Sequence, residues 1–438
     1  MEEWYAALEE QFKVEGSLTA ELRHLCDADG NEELPIHSWY NLKEAFSSQF
    51  PVWIVRRLRE TYGFNPSTAL DPFAGGGTSL LALSQLGIDA TGVEYNPFIA
   101  WAAKVKSLWR TYDVTEAKAA LESLGSLAPP RRLRMNWPLI SSFKTTKYFR
   151  KNDVRVLLHT LARISDLDVS FSTKQLLRTG VAATIDEVSN LRKDGRALRH
   201  VRKPYRPTAE VALENRWRIM LDQLSTICGE QQPDKQGECC VWLGSALDLS
   251  YTLDPWYQTR GSELSSAYYD LVLYSPPYLN NFDYSEIYKL ELWLLGFLED
   301  YSQWRTLRRG TVRSHHSIKF PVTAHLAEDP RMNGLSEKIH GLAESRYLKN
   351  YAQENMPPII LGYFDDMYIA LREQHRVLKP GGFLVYMIAN SRHSELPIAT
   401  DVVLGEIARR IGFEPVELIV VHKRNGRTKK KRFLRERV

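Results

Sequence analysis

Three groups of residues in this chain have types and spacings that could do chemistry. The first is Asp71-Pro72-Phe73-Ala74-Gly75-Gly76-Gly77-Thr78, set between a short apolar segment, Thr68-Ala69-Leu70, and a run of helical spacing that ends at Gly87. Gly75 and Gly77 allow a tight turn and close approach of a ligand to the backbone. A dinucleotide fingerprint has a third glycine three residues later, where this chain has Leu80. The second is Glu94, with its neighbour Tyr95, closing the next apolar segment 17 residues after Gly77. A carboxylate in that place can accept both hydroxyls of a ribose. A glycine turn alone is more often structural. Flanked by Asp71-Pro72-Phe73 and Glu94, it points to a nucleoside cofactor without a pyrophosphate to cradle.

The third group is Ser275-Pro276-Pro277-Tyr278, which ends the apolar run DLVLY. Two consecutive prolines cannot donate backbone hydrogen bonds, so a strand stops there. A hydroxyl, carbonyls and an aromatic ring then gather at the carboxyl edge of a sheet, where α/β proteins bind ligands. This suits methylation of an exocyclic amine, whose lone pair is delocalised into its ring. Hydrogen bonds from the amine to the Ser275 oxygen and the Pro276 carbonyl favour a pyramidal nitrogen with its lone pair aimed at a methyl donor. Tyr278 offers a stacking face for a base taken out of its helix. The bland alternative is a strand-ending turn with an incidental tyrosine.

The elements that position these groups follow from the pattern. Strand, glycine turn, helix and strand form a βαβ unit that opens an α/β sheet over residues 68–95. The first sixty residues read as helical. Residues 111–236 lose the rhythm, are polar and Arg-rich, and read as an inserted, mainly helical domain. The α/β pattern returns at CVWLGSALDL and DLVLYSPPY, the latter apolar enough for a strand buried on both faces. A helix is expected over 362–378, then the strand FLVYMIAN, a helix over 401–411 and the strand ELIVVHK. The expected organisation is 1–110 as N-terminal helices and the cofactor half, 111–236 as the insert, and 237–438 as the catalytic half, with a further insertion at 298–360.

In combination the two main motifs resemble those of the amino-methylating DNA methyltransferases, which use S-adenosyl-L-methionine. Phe46 and Ser47 resemble the start of an upstream helix that contacts the methionine end of that cofactor. Asp71 to Thr78 match the first cofactor motif, Glu94 the ribose acid, and Ser275-Pro276-Pro277-Tyr278 the catalytic motif. Gly244-Ser245-Ala246-Leu247-Asp248 is similar to the segment near the adenine, less specifically, and Leu378-Lys379-Pro380-Gly381-Gly382 to the turn before a later strand. The resemblance covers about 35–107, 238–296 and 360–422. It implies a Rossmann-like seven-stranded sheet with one reversed strand, and a base flipped into a pocket beside the cofactor. In that family serine in the first catalytic place goes mostly with N4-cytosine methylation, and Asp or Asn mostly with N6-adenine. The expected activity is therefore N4-cytosine methylation in double-stranded DNA, in a restriction-modification or defence setting with a cognate endonuclease as partner. N6-adenine is the alternative, followed by an RNA or protein amide methyltransferase and a catalytically disabled DNA-binding protein.

Composition and charge agree with such a partner. The 438 residues are 44% apolar and 25% charged, an ordinary globular mix. No stretch is long and apolar enough for a transmembrane helix, and the acidic start MEEWYAALEE lacks the look of a secretory signal. The four cysteines, Cys26, Cys228, Cys239 and Cys240, show no metal or disulfide spacing and read as reduced and cytoplasmic. The net charge of +4 conceals +12 over 131–218, +8 over 423–437 and −16 elsewhere. Two basic segments on an acidic body fit a polyanion held at defined places, or simply solvated surface. Within them, Arg192, Lys193, Arg196, Arg199 and Arg202 are candidate DNA contacts. So are Arg308, Arg309 and Arg313 in the second insertion, WRTLRRGTVRSHHSIKF. His315-His316 has no further ligand spacing, and no metal is expected.

Overall fold

In a computed structural model of the chain, described over residues 2–28, 30–42, 45–131, 148–194, 197–229, 236–253, 267–348, 354–425 and 433–437, the glycine turn and the Ser-Pro-Pro-Tyr segment both lie at strand ends. The strands are β1 (Thr68–Asp71), β2 (Asp89–Glu94), β3 (Cys239–Leu243), β4 (Tyr269–Tyr274) and β5 (Leu378–Tyr386). They form a parallel sheet in the order β3-β2-β1-β4-β5. The chain order reverses direction between β1 and β4, which places a crevice beyond their carboxyl ends. In β4 all residues but Asp270 are buried, as a strand covered on both faces requires.

A second, four-stranded sheet joins Val14–Glu15, Leu418–Asn425, Phe433–Arg437 and Ile388–Ala389. Its strand Phe433–Arg437 runs antiparallel to both neighbours. One residue, Met387, separates Ile388 from the end of β5. The central sheet thus holds five strands where seven were expected.

Helices cover the sheet. Those that matter for the site are α1 (Gln49–Tyr62), α2 (Thr78–Gln85) and α3 (Pro97–Ser107). The Asn96 side chain caps α3 by accepting from the Phe98 and Ile99 N–H groups, with Pro97 at its first position. The expectation that the first sixty residues are helical holds only in part. Helix covers Glu2–Glu9, Thr19–Leu22 and α1, while the other described residues between them run largely as turns that bury Leu25, Ile36 and Trp39.

The region 111–236 is mainly helical among its described residues. It comprises α4 (Val114–Leu124), α5 (Lys151–Asp166), α6 (Phe171–Val188) and α7 (Ala209–Gly229), with an antiparallel hairpin of Leu191–Asp194 and Ala197–His200. Gly180 in α6 lets the Trp217 indole of α7 lie against its backbone, where a Cβ would collide. This core also takes in Leu290, Trp293 and Leu294 of α8 (Lys289–Leu294), the second helix after Tyr278. The described part of 298–360 wraps the catalytic body. Val312, Leu326, Met332, Leu335, Ile339 and Leu342 share one core with α9 (Pro357–Val377). No helix among the described residues is long and apolar enough to cross a membrane.

Candidate active site

The glycine turn is tied to the end of β2 by the carboxylate that the sequence singled out. Gly75 has φ +49° and Gly77 φ +79°, left-handed conformations that glycine adopts without strain. The Gly75 N–H donates to Glu94 Oε2 at 3.0 Å, and the Asn96 N–H to Oε1 at 2.7 Å. A Cβ on Gly75 would stand 3.1 Å from Leu42, and one on Gly77 3.3 Å from Ala103, so both positions are also crowded. Asp71, fully buried at the end of β1, accepts from the Ser79 hydroxyl and from the Phe73 N–H at 2.9 Å. Burial pushes the Asp71 and Glu94 carboxyls up to about 7 against the pull of these hydrogen bonds.

Two cavities meet at Ser275. The first, about 130 Å³, is walled by Pro72, Phe73, Gly75, Glu94, Tyr95, Asn96, Ser245 to Leu247, Ser275, Pro277, and residues 310–312, 314 and 315. The second, about 280 Å³, is walled by residues 26–28, Glu32, His37, Tyr40 to Leu42, Phe46, Gly76, Thr78, Lys106, Ser275 and Tyr278. Ser275 Oγ donates to the Tyr278 hydroxyl at 3.0 Å, a bond absent from the stacking role expected of that tyrosine. A larger cavity of about 870 Å³ lies away from these motifs, between β5 and Leu418–Ile419.

Most of the expected cofactor residues therefore line one crevice. Ser47, Asp71, Gly77 and Asp248 are not in its walls. Ser47 is buried beside α1, where its Oγ accepts from the Gln49 N–H at 3.3 Å. Asp248 caps the next turn through the Ser250 hydroxyl and the Tyr251 N–H, both at 3.1 Å, so Ser245, Ala246 and Leu247 make the wall instead. This corrects the placing of Asp248 at the cofactor.

Three residues at the walls were not among the expected site residues. Lys106 lies on the inner face of α3, buried, donating to the carbonyls of His37 at 3.0 Å and Tyr40 at 2.7 Å. No carboxylate pairs with it among the described residues, and burial lowers its ammonium to about 7. Asn96 and His315 are the others. Gly310 packs where a Cβ would strike the Tyr95 hydroxyl, so the segment 307–315 closes over the first cavity.

The candidate DNA contacts divide. Arg192, Arg199 and Arg202 are exposed, as is Tyr205, and Arg192 lies opposite Arg199 in the hairpin. Arg309 is also exposed, and Arg196 lies outside the described residues. Three calls are corrected. Lys193 is buried on the opposite hairpin face, pairing with Glu291 and with Asp186 at 3.0 Å and donating to the Tyr40 hydroxyl at 2.8 Å. Arg308 pairs with Asp283 at 2.6 Å, and Arg313 with Asp365 at 3.0 Å and Asp366 at 2.6 Å, all buried. Cations already neutralised inside the protein do not present charge to phosphate.

A parallel sheet with its switch point between β1 and β4, a glycine turn bound to a strand-end acid and a Ser-Pro-Pro-Tyr strand end are the arrangement expected of an S-adenosylmethionine-dependent methyltransferase, and the chain is similar over most of its length to type II DNA methyltransferases. It is 25% identical to the type II methyltransferase M.BsoBI of Geobacillus stearothermophilus, over 92% of this chain and 84% of that protein. It is 27% identical to the type II methyltransferase M.AvaI of a Nostoc species, over 95% of this chain and 87% of that one, and equally similar to M.AvaI of Anabaena variabilis. No family model and no solved structure matches the chain.

Proposed function

We propose that this protein is a site-specific DNA methyltransferase that transfers a methyl group from S-adenosylmethionine to N4 of cytosine in double-stranded DNA, as the modification partner of a restriction endonuclease. The observation that carries the reading is the position of Ser275, at the junction of a cavity holding Glu94 and one holding Tyr278. The residues present fit the cofactor. Glu94 can accept the ribose hydroxyls. In the second cavity the ammonium of Lys106, which no carboxylate neutralises among the described residues, suits the methionine carboxylate, with Phe46 and Thr78 beside it.

The cofactor supplies an electrophilic methyl group. Ser275 Oγ and the Pro276 carbonyl accept hydrogen bonds from the target amine and turn its lone pair toward that methyl. Tyr278 stacks on the flipped base, and its hydroxyl bond to Ser275 fixes the serine's rotamer. Once the N–C bond has formed, the cationic nitrogen loses a proton to water or by way of Ser275, so no strong base is needed. Arg192 and Arg199 of the hairpin, and Arg202 just beyond it, lie along the phosphates, with the insert 111–236 as the recognition unit. We read the five-stranded sheet as the core of the seven-stranded surface that the resemblance implies.

The test is to express the protein in a host lacking DNA methylation and sequence the DNA by a method that separates N4-methylcytosine from N6-methyladenine. N4-methylcytosine at one short motif supports the reading. N6-methyladenine overturns the choice of base, and unmodified DNA from an active, folded protein overturns DNA as substrate.

A further inference from the structure

The Lys193 ammonium directs its three protons to three different elements. One goes to Glu291 Oε1 in α8, one to Asp186 Oδ2 in α6 at 3.0 Å, and one to the Tyr40 hydroxyl at 2.8 Å. Tyr40 closes a ring of bonds by donating to the same Glu291 oxygen at 2.8 Å. The cation also lies 4.8 Å from the ring centroid of Tyr288 and 5.3 Å from that of Tyr40. The hairpin of the insert, one of its helices, a helix after the catalytic turn and the segment before α1 thus meet at one buried nitrogen. Stability does not call for this arrangement. A buried ion pair replaced jointly by apolar residues is often neutral or stabilising. Glu291 Oε2, moreover, is left with no hydrogen-bond partner. What the cluster supplies is direction, since three bonds on one nitrogen fix how four elements stand to one another.

Both ends of the cluster reach functional surfaces. On the hairpin, Arg192 precedes Lys193 and points the other way, into solvent. At the other end Tyr40 walls the second cavity, where its carbonyl accepts from Lys106 at 2.7 Å. Its ring stands edge-on to Phe98 of α3, with 5.0 Å between centroids. We infer that Lys193 is a positioning residue that links DNA contact at the hairpin to the affinity of the cofactor cavity. Duplex DNA that grips the outer arginines raises the fraction of molecules in which the hairpin keeps its ammonium on Tyr40 and Glu291. Tyr40 in turn holds Lys106 and the cavity wall in place. The inference rests on the methyltransferase reading. Such linkage is reciprocal, so the cofactor raises DNA affinity by the same factor.

The test measures S-adenosylhomocysteine binding by calorimetry, without DNA and with a saturating duplex that carries the motif identified by sequencing. In the wild type the duplex should tighten binding by about tenfold, within the usual range for coupled sites. Lys193→Met alone leaves Glu291 buried without its cation and can unfold the protein. The deciding variant therefore combines Lys193→Met with Glu291→Met, an apolar pair in place of the ionic one. It should stay folded and bind S-adenosylhomocysteine alone within about twofold of the wild type, while the gain from DNA falls to about twofold or less. A role in packing alone would leave that gain unchanged. A tenfold gain kept in the double variant would overturn the inference, as would a wild type that binds the two ligands independently. A double variant as unstable in urea as Lys193→Met would make the cluster a structural requirement and overturn it too. A wild type that binds neither ligand would instead remove the methyltransferase reading.

Discussion

The arginine-rich segments 191–206 and 304–320 read alike as strings of residues and lie in opposite environments. In the first, strand alternation sends Arg192 and Arg199 to one face, into solvent, and Lys193 to the other, into a buried network with Glu291 and Tyr40. In the second, Arg308 and Arg313 both turn inward onto aspartates of the catalytic body, and the backbone between them roofs the first cavity. One segment offers charge outward. The other uses charge to hold a wall in place. Basic composition marks both, and only the location of the matching carboxylates separates them.

The largest expected effect follows from breaking the buried set. Arg313→Met should destabilise the protein by about 3–5 kcal/mol, because Asp365 and Asp366 are left buried without their cation. Urea unfolding measures this, and a loss under about 1 kcal/mol would mean that the pair is hydrated and the contrast false. Lys193→Met should behave like Arg313→Met and unlike its hairpin neighbour, since Glu291 is fully buried.

Next in size is the site's own half-buried acid. Glu94→Ala should weaken S-adenosylmethionine binding by about 1.5–3 kcal/mol, the range for hydrogen bonds to a charged group. Unchanged affinity in a calorimeter, with the fold intact, would take Glu94 out of the site.

The same logic gives a pH dependence. Glu94 is raised to about 7 and gains a proton below that, losing its capacity to accept both ribose hydroxyls. Lys106 is lowered to about 7 and becomes neutral above that, losing its attraction for a carboxylate. Cofactor affinity should therefore peak near pH 7 and fall on both sides. Glu94→Gln should flatten the acid limb and Lys106→Met the alkaline limb. A profile that stays level between about pH 5.5 and pH 8.5 would contradict both assignments.

The smallest effect on stability belongs to the outward set. Replacing Arg192, Arg199 and Arg202 together by Ala should change unfolding free energy by only about 0.5 kcal/mol per site or less. If all three touch phosphate, the slope of log affinity against log salt on duplex DNA should flatten by about 2–3. An unchanged slope would pass the phosphate role to other residues, Arg309 first.

Local residue order determined much of this protein. The βαβ opening, the glycine turn, the strand-end acid and the strand closed by Pro276 and Pro277 are short-range patterns, and each lies where its pattern required. They depend on φ preferences, missing N–H groups and alternation, all written within a few neighbouring residues. Tertiary structure alone decided which charges are spoken for. Lys193 and Glu291 are 98 positions apart, Arg313 and Asp366 53, and no local rule pairs them. It also decided the walls of the crevice, since Lys106 faces inward only because α3 packs against the segment holding His37 and Tyr40. His315 reads as half of a histidine pair until Ser317 and Asp283 fix its proton, because a tautomer is set by partners that the chain meets only after folding.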